Sequence, residues 1–293
     1  MRRAIFPILM LLGITLSPAL QAQSTISNEP FELSTGQGLW GAFLPAYELG
    51  TNANGAPAFR DNLDDVGYHG DIKAVRRFLG TRTSFEGRVF FGHAQSKSTT
   101  DPIAIDVTNP ISGVISSLSG SGTSLKSKVD NYGFDLTLRD TWRTRFGGLS
   151  AGCAFSYIGF DQTFDVNYGS SSLMREKLDS DYRGGKGFVG WDGCICGRAT
   201  NIDFLVGVYD MNAKYDFSGG TLAGAGVVES TKTTTTIETN ITTRQDFRKL
   251  QLGATVGVMY FSDMPTIEHN VGAPVTLGTD DAVSLKLLFE ILL

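Results

Sequence analysis

The sequence contains three histidines, His69, His93 and His269, and histidine is the residue most often used in acid–base catalysis. A hydrolase pairs a histidine with a nucleophile or activated water and with an orienting carboxylate. His69 lies two positions before Asp71, and His93 precedes loop serines, but no local motif surrounds either histidine. Phosphate-loop, metal-ligand and dinucleotide-binding spacings are also missing from the sequence. We therefore expect no catalytic residue, no metal and no cofactor, with a surface hydrolase as the alternative.

Composition limits the class of protein that carries these residues. Glycine supplies 35 of the 293 residues, which is about 12% against an average of about 7%. This content argues against a helical bundle, since a glycine inside a helix costs roughly 0.5–1 kcal/mol. The 11% of aromatic residues argues against a disordered chain. With 25 Lys+Arg against 30 Asp+Glu, the net charge of −5 predicts no nucleic-acid partner.

The first 22 residues have the layout of a cleaved signal peptide. Arg2 and Arg3 form a basic start, an apolar run follows over 4–16, and Ala22 offers a small residue for cleavage. The alternative, a membrane anchor, would need about 20 apolar residues. We expect an exported protein with a mature domain over 23–293. No other stretch reaches the 18 consecutive apolar residues of a spanning helix.

Apolar residues recur at every second position through most of the mature chain, which indicates strands. The last segment is the clearest example, because six apolar residues alternate with polar ones from Val283 to Leu293. The segments around 66–74, 84–91, 132–139, 149–157, 235–241 and 250–260 repeat the pattern. Many of these strands reach the length of about 9–11 residues that a membrane-spanning strand needs.

The connections between the strands alternate in length. Long loops are predicted at 49–63, 97–127, 168–179, 218–231 and 264–281, and short turns at 78–81, 146–148, 196–200 and 247–248. This alternation is typical of transmembrane barrels and predicts ten strands. The first strand, 39–47, contains Pro45, which is disfavoured in a closed sheet, so eight strands are the alternative.

The two faces of these strands differ in polarity. The mean hydropathy of −0.03 resembles that of a soluble protein, but it averages an apolar outer face and a polar inner one. Aromatic girdles are predicted beside the short turns, at Phe78, Trp142, Phe146 and Phe247, and nearer the long loops, at Tyr157, Phe160, Tyr182, Phe217 and Tyr260. The predicted lumen-lining residues are His69, Asp71, Lys73, Arg82, Glu86, Arg88, Asp135, Arg139, Glu238, Arg244, Lys286 and Glu290.

The leader, the amphipathic strands with alternating loop lengths and the closing strand resemble those of Gram-negative outer-membrane β-barrel proteins. The similarity is to the OmpA- and OmpX-like barrels and their pore-forming, porin-like relatives, and it covers 23–293 as a pattern. It implies an all-β, closed antiparallel up-and-down transmembrane β-barrel with short periplasmic turns and long extracellular loops. It also implies contact with outer-membrane lipid and with the barrel-assembly machinery, which reads the C-terminal strand. Family members typically end in an aromatic residue, whereas this chain ends in Leu293.

We expect the barrel to form a narrow or gated porin-like channel for small solutes or ions, or to serve as a structural protein of the cell envelope. Interleaved charges of both signs favour a narrow interior, because an eight-stranded barrel is just wide enough for its side chains. The alternatives are an outer-membrane barrel enzyme and an exported soluble β-sandwich.

The loop at 97–127 carries a helix signal. Asn109 and Pro110 form a cap and a first turn, Ile111, Val114, Ile115 and Leu118 have helical spacing, and Gly120 ends the segment. We expect a short amphipathic helix that plugs the mouth, with a disordered loop as the alternative.

Three cysteines in an exported chain leave at least one unpaired. Cys194 and Cys196 are separated by one residue, which fits neither a thioredoxin-like motif nor a zinc half-site. A loop centred near 173 would place Cys153 opposite residue 193, so a Cys153–Cys194 disulfide is predicted. Three reduced thiols are the alternative.

Overall fold

The computed structural model describes residues 31–51, 57–101, 104–222, 224–247 and 250–292. The predicted signal peptide, Leu293 and part of the turn at 247–248 lie outside these ranges. Among the described residues, no helix is long and apolar enough to cross a membrane.

The described chain forms fourteen strands and is all-β, as predicted. In chain order they are β1 (Phe31–Phe43), β2 (Tyr47–Thr51), β3 (Pro57–Asp61), β4 (Asp64–Arg77), β5 (Thr83–Thr99), β6 (Ile105–Thr108), β7 (Ile115–Leu118), β8 (Thr123–Thr144), β9 (Gly147–Tyr168), β10 (Ser171–Ile195), β11 (Arg198–Gly219), β12 (Ala225–Phe247), β13 (Leu250–Glu268) and β14 (Thr276–Leu292).

Ten of these strands form one antiparallel up-and-down sheet that closes into a ring. β1 completes the ring by pairing with β14 on one side, where Trp40 faces Lys286, and with β4 on the other. The predicted count of ten strands is therefore confirmed, and the eight-strand alternative is wrong. Pro45 lies between β1 and β2, so it removes no hydrogen bond from the ring. A single closed sheet also differs from the two packed sheets of the β-sandwich alternative.

The remaining four strands form a small sheet in the order β3-β2-β6-β7, which we call the lid sheet. Its strands lie in the two connections after β1 and after β5, both at the long-loop end of the ring. Leu49, Phe59, Ile105 and Val107 of this sheet are buried in the same apolar core as residues of the ring. The lid sheet is therefore packed onto the ring.

The alternation of the ring strands separates an apolar exterior from a polar and aromatic interior. The exposed positions on the middle of the strands are apolar, as at Val66, Val89, Leu136, Val256 and Phe289. Successive side chains of a strand point to opposite faces, so the residues between them fill the inside of the ring. This agrees with the period-two pattern of the sequence.

The short turns need backbone conformations that few residues adopt. β10 and β11 are joined by Cys196 and Gly197, with φ values of 52° and 76°. Positive φ at both positions is typical of the tight hairpin turns that match the twist of the flanking strands. Cys196 is the one non-glycine residue with positive φ in the described ranges.

The predicted helix over 109–120 is wrong, because the segment belongs to the β6–β7 hairpin of the lid sheet. The cap signal itself was real. The Asn109 side-chain carbonyl accepts hydrogen bonds from the backbone N–H groups of Ile111 and Ser112, both at 3.0 Å. Asn-Pro thus starts a turn between two short strands here, which is a use of these residues as common as helix capping.

The connection between β9 and β10 is a tight turn at 169–170, where a long loop over 168–179 was predicted. The shift in the turn changes the register, so Cys153 lies opposite Gly187. Cys194 lies opposite Ala199 on the other neighbouring strand. The predicted Cys153–Cys194 disulfide is therefore wrong, and Cys153, Cys194 and Cys196 are all free thiols.

A thiol count checks this register. Titration of the denatured protein with a thiol reagent in the absence of reductant should detect three sulfhydryl groups, because no two cysteines are partners across the sheet. A count of one would restore the disulfide and contradict the β9–β10 register.

The aromatic residues predicted beside the short turns are exposed, whereas three of the five predicted near the long loops are buried. Phe78, Trp142, Phe146 and Phe247 are all exposed beside the short turns, as expected. At the other end Phe160, Tyr182 and Phe217 are buried inside the ring, so their assignment to a girdle is wrong. Tyr157 and Tyr260 lie at outward positions as expected, and Tyr68, Phe91 and Tyr132 are further outward aromatic residues at that end, with the Tyr132 and Tyr157 ring centroids 6.3 Å apart.

Candidate functional site

The interior of the ring contains a network of buried charges near mid-height. Lys186 on β10 is 3% exposed and its Nζ lies 3.0 Å from Asp135 and 3.2 Å from Glu238. Glu238 also pairs with Lys286 at 3.2 Å, and Arg88 lies 2.7 Å from Asp71. These pairs join β4, β5, β8, β10, β12 and β14 across the ring. Residues of opposite charge that are interleaved along the sequence therefore form ion pairs across the interior of the ring.

A second group of ion pairs lies closer to the short turns. The Glu86 carboxylate forms ion pairs with Lys73 at 2.8 Å and with Arg139 at 2.7 Å. Arg139 also binds Asp203 through two parallel hydrogen bonds of 3.0 and 2.9 Å. A guanidinium fork on a carboxylate is among the stronger charge-assisted contacts, so Arg139 ties β8 to β5 and β11.

A third group lies at the end of the ring that carries the short turns. Glu32 on β1 pairs with Arg77 and with Arg244, each at 3.3 Å. Arg82 is exposed on the turn before β5, and Glu290 accepts a hydrogen bond from Thr255. The predicted lumen residues therefore all lie on the inner face of the ring or at the edge of that face beside the short turns.

His69 belongs to the interior, although it forms no pair with Asp71. It is buried, its ring stacks on Phe90 at 6.1 Å, and both ring nitrogens lack a hydrogen-bond partner within the described residues. His93 lies on the outer face, where its Nδ1 is 2.6 Å from Asp130. Neither contact supplies the nucleophile that a hydrolase needs.

Several interior residues were missed in the sequence, among them Glu32, Asp203, Lys186 and Glu176. Glu32 was missed because the first strand was placed at 39–47, although the alternation of Phe31, Leu33 and Leu39 extends it toward the N-terminus. Asp203 was detectable from the apolar series Phe204, Val206 and Val208 on the opposite face. Lys186 lies among Gly184, Gly185 and Gly187, which carry no pattern. Glu176 lay in a predicted loop.

A layer of aromatic side chains closes the ring above the charged network. Phe160, Tyr182 and Phe261 pack against each other with ring centroids 5.5–6.0 Å apart, and all three are buried. Trp40 is also fully buried, and its indole N–H donates to Ser284 at 2.8 Å. The void between this layer and the charged network is about 40 Å³, room for only a few water molecules.

A buried polar cluster is one of the contacts that attach the lid sheet to the ring, beside the shared apolar core and a hydrogen bond from Gly272 N–H to Thr108. Glu176 on β10 accepts hydrogen bonds from the hydroxyls of Tyr47 and Tyr215, and lies 2.9 Å from His269 Nε2. His269 Nδ1 lies 2.7 Å from the carbonyl oxygen of Glu48 on β2. Tyr47 stacks on Phe164 at 4.6 Å. We call Tyr47, Glu176, Tyr215 and His269 the latch.

Electrostatics set the protonation of the latch. Burial alone would lower the pKa of His269, but the Glu176 carboxylate outweighs it and raises this pKa above its ordinary value. Burial alone would raise the pKa of Glu176, but His269 and the tyrosine hydroxyls hold it below its usual range. Because both partners of His269 are acceptors, the doubly protonated imidazolium donates to both of them.

The short-turn end, in contrast, encloses open space. A cavity of about 550 Å³ lies there, and its walls reach from Glu32, Arg77 and Arg82 at the rim to Glu86 and Arg139 inside. The interior is thus open at the short-turn end and filled by side chains toward the long-loop end.

The described residues contain no cluster of three histidine, cysteine or carboxylate side chains suited to a metal ion. No protein-family model matches the chain, and a search of curated proteins finds no relative.

Proposed function

We propose that the protein is an outer-membrane β-barrel of a Gram-negative bacterium that serves as a structural protein of the cell envelope, with a closed lumen. The observation that carries this proposal is the exposed apolar exterior around a filled, ion-paired interior. Contiguous exposed apolar patches above a few hundred Å² are rare on soluble monomers. Lipid is the solvent that suits such a surface, and a closed sheet satisfies the backbone hydrogen bonds in lipid.

The dimensions of the apolar exterior fit a bilayer. On β8 the outward girdle residues Tyr132 and Trp142 enclose a span of eleven residues, near the 9–11 that a tilted membrane strand needs. Beyond Tyr132 the outward residues Lys128 and Asp130 are charged and form an ion pair at 2.5 Å. In this proposal the strands continue past the bilayer as a polar extension, and the latch and the lid sheet lie outside the membrane-spanning segments.

A closed lumen favours a structural role over a general-diffusion pore. The charged network, the aromatic layer and the lid sheet fill the ring in succession, and the void between the first two is about 40 Å³. A gated channel is the second candidate. The 550 Å³ cavity favours it, because it already opens the interior from the short-turn end to Glu86 and Arg139.

Fractionation and planar-bilayer recording test the proposal. The full chain expressed in a Gram-negative host should collect in the outer membrane, and its folded and boiled forms should migrate differently on gels. The refolded protein should give no steady conductance in planar bilayers. Recovery in the soluble periplasmic fraction would overturn the membrane assignment, while a steady or triggered current would favour the gated channel.

A pair of variants tests the solvent of the exterior directly. Val256→Arg places a charge in the apolar exterior and should reduce refolding into vesicles, because a charge on the lipid face is destabilising. Thr231→Arg adds the same charge to the polar extension of β12 and should refold normally. Equal refolding of the two variants would show that water, and not lipid, surrounds Val256.

A further inference from the structure

The cavity at the short-turn end has a charge that differs from that of the whole chain. The chain carries a net charge of −5. The cationic residues that line the cavity are Lys73, Arg77, Arg82, Arg139, Arg143 and Arg244. Its anionic residues are Glu32, Glu86 and Asp192. Six positive and three negative side chains line the cavity, and Asp203, which pairs with Arg139 from outside the lining, reduces the excess to two positive charges.

The internal ion pairs leave two of these cations unused. Glu86 pairs with Lys73 and Arg139, and Glu32 pairs with Arg77 and Arg244. Arg82 and Arg143 are exposed, and in the described ranges their guanidinium groups have no carboxylate or hydrogen-bond partner. The Nε of Arg244, which also lines the cavity, is buried and lacks an acceptor in the same ranges. The cavity therefore holds more donors than its own acceptors use.

The geometry limits the ligand to a small anion from the aqueous side. A volume of about 550 Å³ lies within the range of small-molecule sites, roughly 300–1,000 Å³. Guanidinium forks match the geometry of carboxylate and phosphate groups. The strands of the ring surround Glu86 and Arg139 inside the cavity, so a soluble ligand enters from the open short-turn end. An excess of positive charge in a cleft also concentrates anions there.

We propose that this cavity binds a small anion carrying carboxylate or phosphate groups, held by Arg82 and Arg143. That the anion comes from the periplasm rests on the proposed function. Binding of the anion depends only on the folded ring and its charged residues. It can therefore be measured in detergent, independently of whether the protein inserts into a membrane.

Titration calorimetry of the full chain refolded in a nonionic detergent tests the site, with citrate and inorganic pyrophosphate as probes. At least one probe should bind with one site per chain, and the better of the two identifies the preferred group. The variant Arg82→Gln/Arg143→Gln should weaken binding about ten-fold or more, since it removes the two uncompensated donors. The side chains of Arg82 and Arg143 have no hydrogen-bond or ion-pair partner among the described residues, and unchanged heat-dependent gel migration would show that the variant is folded.

The control variant is Arg76→Gln/Arg198→Gln. It removes the same charge from exposed residues at the same end that do not line the cavity. This variant should bind within about three-fold of the wild type, because exposed charges interact weakly with a distant ligand. An equal loss of probe affinity in both double variants would show that general surface charge, and not this cavity, attracts the anion. The absence of binding by both probes would overturn the site. Neither result bears on membrane insertion, which the gel and fractionation assays measure.

Discussion

Replacing Lys186 with methionine should lower the free energy of unfolding by about 3–5 kcal/mol, the usual cost of removing one partner of a buried ion pair. Lys186 lies between Asp135 and Glu238, at 3.0 and 3.2 Å, and Glu238 is 2% exposed. Without the ammonium group, Glu238 retains Lys286 and Asp135 retains Arg88 at 3.8 Å. One buried negative charge is then left uncompensated.

Urea unfolding in phospholipid vesicles, followed by tryptophan fluorescence, measures this loss. The matched control is Lys214→Met, because Lys214 forms an exposed pair with Asp216 at 3.4 Å. Exposed pairs contribute about 0–1 kcal/mol, so the control should unfold close to the wild type. The double variant Lys186→Met/Glu238→Gln removes the excess charge and should recover part of the loss. Equal stability of the Lys186 and Lys214 variants would contradict the buried network.

The outer face of the ring was the part of the fold that the sequence predicted best, since its apolar positions repeat with a strict period. Val283 through Leu287 and Val256 through Tyr260 lie on the strands and faces expected for them. The count of ten strands followed from the same pattern together with the alternation of the connections. These features are local, because each depends on one strand and its two turns.

Features that depend on register could not be predicted in the same way. A turn placed at 169–170, and not near 173, moved the partner of Cys153 to Gly187 and removed the disulfide. Three of the five girdle residues predicted at the long-loop end were wrong for a related reason. Phe160 and Phe217 are as hydrophobic as residues of the outer face. They point into the ring because each lies an even number of positions from other inward residues of β9 and β11.

The candidate site was predicted as a set of charges and not as a set of partners. Glu86 and Arg139 were both expected on the inner face, but their contact at 2.7 Å depends on the pairing of β5 with β8. The latch was not predicted at all, because His269 and Glu176 are far apart in sequence and Glu176 fell in a predicted loop. Long-range contacts of this kind appear only when the ring closes.

The latch should make the attachment of the lid sheet depend on pH. His269 has a folded-state pKa above its unfolded value of about 6.5, so its contribution is complete below that pH and is lost as pH rises through the folded pKa. Glu176 has a folded-state pKa below about 4.3, so its contribution is complete above that pH and is lost as pH falls through the folded pKa. The lid sheet should therefore be held most firmly between about pH 4.3 and 6.5.

Hydrogen exchange at the amides of β2 measures this dependence, with the amides of β8 as an internal reference within the ring. As pH rises through the pKa of His269, the neutral imidazole keeps one N–H and loses either Glu48 or Glu176 as a partner. Losing one charge-assisted hydrogen bond should lower the protection factors of β2 by roughly ten-fold to a hundred-fold. Those of β8 should change little.

Two glutamine variants assign the effect to the latch. His269→Gln removes the titrating group while retaining an amide donor, so the alkaline loss of protection should disappear. His93→Gln removes the exposed histidine that pairs with Asp130 on the outer face and should leave the profile of β2 unchanged. If the alkaline loss persists in His269→Gln, a group other than the imidazolium fastens β2. Its disappearance in that variant alone would show that the ion pair between His269 and Glu176 stabilises the attachment of β2 to the ring.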